Sequence, residues 1–403
     1  MRINDALYSI RKPFTFFVFS VCLFSLTNAQ SLTPDQFIDD LNHFKKELPQ
    51  RHKNLYAKIS EADFLRKVDA IAQKANTLNN ESFEIELYQL IKEIGDEHTR
   101  LEPAYKTIYP VSFDFFKEGI FVTGTNAENA GLLYKQLNGV NTKSTKDILD
   151  LVKTIVKDDN ASYFDVYFQQ FINNPRVLKG LTITPDDLKA TFLLDQQKAI
   201  LSAVSKEAYK PAVKPDLLRF KRSENYWFEL INNGKTLYFN YQECREEEDK
   251  PFADFTNELF ALVEKAKPEK IIIDLRNNMG GNSGIIHPFM EKLKKSHLNK
   301  KGKLFVLIGK STFSSALMNA VELKRNYHSI LVGESTSGTV NHYGEVRGFT
   351  LPNSQLVVGY STRFWEVWKG YDGPLRPDVK VEYSIHNFRK NIDEGIAYIL
   401  KQP

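Results

Sequence analysis

Ser314 lies in Lys310-Ser311-Thr312-Phe313-Ser314-Ser315-Ala316, just past the apolar run 303–308 and ahead of a helical pattern over residues 317–325. A hydroxyl at the carboxyl end of a buried strand, where a helix begins, can act as an exposed nucleophile. Free backbone N–H groups there face any oxyanion it makes. The same residues would also serve as an ordinary Ser/Thr helix cap. A second loop bears on the choice. Asp274-Leu275-Arg276-Asn277-Asn278-Met279-Gly280-Gly281-Asn282-Ser283 follows the strand-like residues 270–273. Its paired glycines leave amides uncovered and permit positive φ, so the chain can form a concave N–H nest. It also reads as a turn capping a helix over residues 284–294, and it lacks the Gly-x-x-x-x-Gly-Lys-Ser/Thr spacing of a phosphate loop. Two successive strand–loop–helix units would bring the alcohol and the amides to one sheet edge, facing one carbonyl.

Such an alcohol is a poor nucleophile near neutral pH until a base removes its proton. Histidine suits the task because its ordinary pKa keeps much of it neutral there. The chain has eight histidines. His98 follows the helical pattern 83–94 at a Gly95-Asp96 break, which projects it from a loop; it also reads as a surface histidine at a helix terminus. His342 is the second candidate, since its loop follows the strand-like residues 330–332, although Asn341-His342-Tyr343-Gly344 reads equally as a turn.

Four ordered motifs resemble those of the serine peptidases that include the tail-specific (C-terminal processing) proteases and the tricorn core protease. They are Gly95-Asp96-Glu97-His98-Thr99, the run from Asp274 to Gly281, Thr312-Phe313-Ser314-Ser315-Ala316, and Gly333-Glu334-Ser335-Thr336-Ser337-Gly338. The resemblance implies an α/β protein with a crotonase-like (ClpP/crotonase) catalytic core and a PDZ-like β insertion. It also implies serine-type hydrolysis of peptide bonds. It puts Ser314 on the nucleophile and His98 on the general base of the tricorn-like branch. The amide of Ser315 and a glycine of the Gly280-Gly281 pair fall on the oxyanion donors. Thr339 stands where the tail-specific branch has its lysine, so a serine–lysine dyad is not expected. The family's acidic residue after the serine motif is replaced by Leu317. For the third residue the resemblance points to Asp372, within the turn-like Tyr371-Asp372-Gly373-Pro374; Glu345 is a second choice, and Glu334 is expected to be structural. The same architecture also leaves open a non-catalytic peptide- or lipid-binding protein, or a crotonase-like thioester enzyme.

Positioning these loops needs a large scaffold. Residues 34–48, 61–76 and 83–94 have apolar residues at three- and four-residue steps, predicting an N-terminal helical domain over 30–104. Residues 105–160 change to short strands, an Asn138-Gly139 turn and a helix over 146–156, which predicts the PDZ-like module. The Gly-Leu-Gly-Phe carboxylate loop of such modules is not visible. Residues 161–214 read as an aromatic-rich helical connecting segment, and 215–403 as the α/β core, closing with a hairpin around Pro352-Asn353-Ser354. Because His98 and Ser314 fall in different modules, the site is expected at a domain interface.

The N-terminus pairs Arg2, Arg11 and Lys12 with an apolar core over 14–26 and a small-residue stretch ending at Ala29. This predicts a signal peptide over 1–29, cleaved after Ala29, and hence a periplasmic or secreted protein. Cys244 would then be the one remaining cysteine, with no intrachain disulfide. With 42% hydrophobic and 12% aromatic residues, the rest can bury substantial cores. A net charge of +4 is too slight to imply nucleic acid. No cofactor, coenzyme or metal is expected, since cysteine and histidine spacings give no zinc site and Glu246–Asp249 lacks calcium-loop spacing. The expected partner is a peptide or protein substrate; oligomeric state is not legible.

Overall fold

Three helices start the described chain, and each is opened by a side-chain cap. Thr33, Ser60 and Asn79 accept the amides of Gln36, Asp63 and Ser82 at the starts of Pro34–Arg51, Glu61–Gln73 and Asn80–Ile94. Each such cap is worth about 1 kcal/mol. Gly95, at φ +75, ends the third helix in the left-handed region and turns the chain into Asp96-Glu97-His98. The computed structural model describes residues 31–102, 105–207, 209–211 and 213–403. The expected signal segment and its cleavage after Ala29 lie outside the described residues. Among the described residues, no helix is long and apolar enough to cross a membrane.

The core is a six-stranded sheet in the order Tyr226–Ile231, Thr236–Tyr241, Lys270–Asp274, Leu304–Ile308, Ile330–Gly333, Val379–Lys380. The first pair is antiparallel and every later pair is parallel. Its central strands are buried at every residue, which explains why they read as continuous apolar runs rather than alternating ones. One face packs the helices Phe252–Ala266, His287–Lys295 and Ser314–Asn326; Ile396 and Ile399 belong to the cluster on the other. The loops after Asp274, Ile308 and Gly333 leave the same sheet edge, and the serine and Gly-Gly motifs lie on the first two.

Leu32–Pro403 forms one compact unit. The helices over 34–94, the β insertion, Phe313 and the hairpin residues Phe349, Val358 and Tyr360 share one hydrophobic cluster. The strand Arg100–Glu102, just after His98, pairs with Val357–Gly359 of that hairpin. The N-terminal helices thus pack directly against Phe313 of the serine loop and the hairpin, while the six-stranded sheet keeps clusters of its own.

Two further expectations change. The segment 161–214 is only partly helical: after Ala161–Phe171 and Pro175–Gly180 it supplies the strands Lys189–Leu194 and Gln197–Ser202. These pair with Leu137–Val140 and Lys143–Ser144 in a four-stranded sheet, so the β module draws on both sides of the predicted boundary. The aromatic spacing at 163–171 set the helical reading for the whole segment, while the second strand, largely exposed, carries little apolar pattern of its own. Asn138-Gly139 lies within a strand, and Asn141, at φ +52, makes the turn instead.

Candidate active site

Ser314 is the first residue of the helix Ser314–Asn326 and has φ +49, in the left-handed region that a side chain disfavours. Such a conformation costs about 1–3 kcal/mol and persists only where its surroundings impose it. Here they do. The Phe313 amide donates to Asn278 O at 3.0 Å, and Thr312 Oγ1 accepts from Gly309 N at 3.0 Å and donates to Leu275 O at 2.8 Å. No side chain caps the helix, so its first amides are left uncovered.

The Gly-Gly loop is held from below. Arg276 is fully buried between Asp274, at 2.5 Å, and Asp393, at 2.8 Å, and its Nη1 also donates to Tyr383 at 3.1 Å. Burial works against the Asp274 charge, but Arg276 outweighs it and keeps the carboxyl below its ordinary range. Asn278 Nδ2 donates to Tyr241 O and its Oδ1 accepts the Gly280 amide, both at 2.9 Å. That bond occupies Gly280 N–H, so of the pair from which one donor was expected, Gly280 is committed inside its own loop. The amides of Gly281 and Ser315 have no hydrogen bond among the described residues. Ser315 Oγ donates to Gly281 O at 2.6 Å, tying the two together. Two uncovered amides beside a partly exposed serine can hold a developing oxyanion.

His98 lines one cavity of about 910 Å³ with Gly281, Ser314, Ser315 and His342. Rather than projecting from the surface, it is only 3% exposed. Its ring stacks on Phe313, with centroids 4.5 Å apart, and on His342 at 5.2 Å. Its amide donates to Asp96 Oδ1 at 3.0 Å. Asp96 Oδ2 in turn meets His52 Nε2 at 3.0 Å and accepts from Thr99 and Ser361, each at 2.6 Å. Burial opposes the Asp96 charge, but these donors prevail and hold its carboxyl well below the usual range. Burial, then the neighbouring His342, pushes the His98 imidazole down to about 3 against the pull of Asp96. Neither His98 ring nitrogen has a hydrogen bond of good geometry among the described residues. The ring does not bond Ser314 in this state.

Asp372 is not part of this cavity. It is exposed and lines a separate space of about 210 Å³ with Glu97, Thr339 and His342, without a hydrogen bond to His98. The turn chemistry that made its role ambiguous places it at the surface. Glu345 does line the large cavity, at φ +57, and lies 3.8 Å from Arg363. Glu334 lies 3.6 Å from Lys310, and Leu317 is buried. Thr339, at the position of the absent lysine, donates its amide and hydroxyl to Glu97 Oε2 at 2.9 and 3.2 Å. Sequence reasoning missed the anchoring roles of Asn278, Asp96 and Glu97. All three stand inside the motifs it quoted, but a carboxylate or amide in a motif carries no sign of what it bonds.

No family model matches the chain, and no curated protein does. Solved structures do. Mature CPAF complexed with lactacystin superposes at TM-score 0.64 and 12% identity, over 91% of this chain and 97% of that one. A CPAF mutant gives TM-score 0.66 and 11% identity over 91% and 96%. The photosystem II D1 C-terminal processing protease matches at TM-score 0.42 and 13% identity over 87% and 93%. The CPAF structures establish a shared mixed α/β fold, with N-terminal helices and a mixed sheet, over most of the chain. At these identities the likeness concerns the fold alone.

Proposed function

We propose that this protein is a serine-type peptidase in which Ser314 attacks the scissile carbonyl carbon. His98 takes the hydroxyl proton as the Oγ–C bond forms and returns it to the departing amine as the C–N bond breaks. A water molecule, deprotonated by the same imidazole, then releases the acyl group from Ser314. The Gly281 and Ser315 amides hold the oxyanion of each tetrahedral intermediate. Removing one such donor typically costs about 10²–10³ in kcat.

The observation that carries this reading is that His98 and Ser314, far apart in sequence, line the same cavity beside two unused amides. The buried, neutral imidazole is available as a base near neutral pH. Its bond to Ser314 is assigned to the substrate complex, since catalytic hydrogen bonds often tighten only there. We assign no third residue: Asp96 holds the His98 backbone amide and favours the protonated ring electrostatically, without a hydrogen bond to it. The N-terminal pattern supports export, which would give the enzyme protein or peptide substrates outside the cytoplasm.

Fluorophosphonate labelling tests the assignment. Wild type should be labelled, Ser314→Ala should not, and His98→Ala should be labelled about 10²–10⁴-fold more slowly. Labelling that persists in Ser314→Ala would remove the nucleophile, and wild-type labelling in His98→Ala would remove the base.

A further inference from the structure

The His98 ring is stacked against two flat neighbours. Phe313 lies at 4.5 Å with 26° between planes, and His342 at 5.2 Å with 15°. The Tyr343 backbone offers the ring a polar partner, but neither ring nitrogen makes a hydrogen bond of good geometry among the described residues, so the stack and the backbone bond to Asp96 carry much of its orientation. Flat, near-parallel neighbours oppose tilting but leave in-plane movement free, which is the movement that would bring a nitrogen to the Ser314 hydroxyl next to Phe313.

His342 is itself firmly placed. Its Nδ1 sits 3.0 Å from Thr339 O and 3.2 Å from Val340 O. Two carbonyl acceptors require that nitrogen to carry the proton, leaving Nε2 as the basic one. The turn supplying those carbonyls is fixed in its own right. Thr339 is bonded to Glu97, the residue before His98, and Asn341 Nδ2 donates to Trp368 O and Tyr371 O, both at 2.8 Å. The loop carrying His98 and the turn carrying His342 are thus tied by a side-chain bond and by a ring stack.

We propose that His342 is the positioning residue for the base: its locked ring forms one wall of a slot that keeps His98 in the plane from which it reaches Ser314. This rests on the reading of His98 as the base. The charged and titratable groups around His98 are Asp96 and Glu97 on its own loop, Arg100 on the following strand, and His342 and Glu345 on the hairpin. Phe313, from the nucleophile loop, brings no charge. His342 is therefore also the titratable group stacked on His98, and in its protonated form it disfavours a second proton there, consistent with its direction of effect on His98.

The test compares His342→Ala with His342→Phe in the full chain, using peptide hydrolysis and NMR of ring-labelled histidine. His342→Ala opens the slot and should lower kcat about 10²-fold with little change in KM, the size expected for a misplaced catalytic group. His342→Phe keeps a flat wall and should restore most of kcat. Because it also removes the neighbouring cation, the His98 titration should move to higher pH. In His342→Ala the His98 ring signals should shift as the stacked ring current is lost. Wild-type kcat and unmoved His98 signals in His342→Ala would overturn the proposal. Equal loss of kcat in both variants would overturn it too, by showing that His342 acts through its nitrogen. If wild type neither cleaves peptides nor labels at Ser314, the peptidase reading fails, while the NMR comparison still decides whether His342 orients His98.

Discussion

Gly280 packs so closely on Ser314 that a Cβ at residue 280 would stand 2.8 Å from Ser314 Cβ and 3.0 Å from Ser315 N. Its φ of +108 is one that a side chain rarely adopts. Both facts apply at the point where the Gly-Gly loop meets Ser314, the proposed nucleophile. Gly280→Ala should therefore lower kcat/KM by about 10²-fold by displacing Ser314. It should also cost about 1–3 kcal/mol in stability from backbone strain. Peptide hydrolysis and urea unfolding on the same preparation check both; an alanine variant with native turnover would show that the close approach is dispensable.

Ser314 carries strain of its own at φ +49. Glycine has no Cβ penalty there, while alanine keeps it. Both substitutions remove the proposed nucleophile. Ser314→Gly should nonetheless be more stable than Ser314→Ala by about 1 kcal/mol, read from urea midpoints at equal slope. If alanine proves the more stable, the helix start is not strained and the serine is simply a cap.

The elements that made the site legible were those with strong local signals. The helix 34–48 was readable because its apolar residues recur in helical steps, and the structure extends it to Pro34–Arg51 behind a Thr33 cap. Residues 270–273 and 303–308 read as strands because burial on both faces leaves no polar alternation. Ser314 stood out by its place between such a strand and a helix. The strands at 189–202 did not, because one of them, Gln197–Ser202, is largely exposed and has little apolar pattern. The burial of His98 was also hidden: it depends on contacts with Phe313 and His342, which lie more than two hundred residues away along the chain. Asp372 misled because acidity and chain order say nothing about which side of the hairpin a turn occupies.

Burial makes acid stability a direct readout of His98. Its pKa falls from an ordinary 6.5 to about 3 in the folded protein. Between those values the unfolded chain binds a proton that the native state refuses, so stability rises with pH across that window. The contribution is complete above pH 6.5 and is lost as pH falls towards 3, at up to about 1.4 kcal/mol per pH unit. His342 is also shifted down by burial and acts in the same direction. Unfolding free energies measured from pH 7 to 4 should fall steeply for wild type and less steeply for His98→Gln. Parallel slopes would mean that the imidazole is solvated.

Asp96 should matter through the backbone that it holds. Its carboxylate meets His52, Thr99, Ser361 and the His98 amide. Asp96→Asn removes a charge and turns one acceptor oxygen into a donor facing groups that need an acceptor, at a cost of about 1–3 kcal/mol. Because the His98 loop moves while the substrate cavity is spared, kcat should fall with KM nearly unchanged. Loss of substrate binding with kcat intact would instead place Asp96 in recognition.

The lining around Ser314 makes the proposed substrate choice testable. Met279 precedes the Gly-Gly pair, and Met318 lies one helical turn beyond Ser314; both line the cavity with Val346 and Trp365. Met279 is 43% exposed, so an apolar thioether is left facing solvent in the cavity that Ser314 lines. Methionine adapts to varied apolar shapes, and burying an unpaired carboxylate against it is costly. Peptides with leucine or phenylalanine next to the scissile bond should be cleaved about 10–200-fold faster than those with aspartate, by kcat/KM. Met318→Lys should narrow or reverse that ratio by offering the carboxylate a partner. A wild type that prefers aspartate, or a Met318→Lys variant with an unaltered ratio, would place the discriminating contacts at the charged end of the cavity, around Arg100 and Lys206.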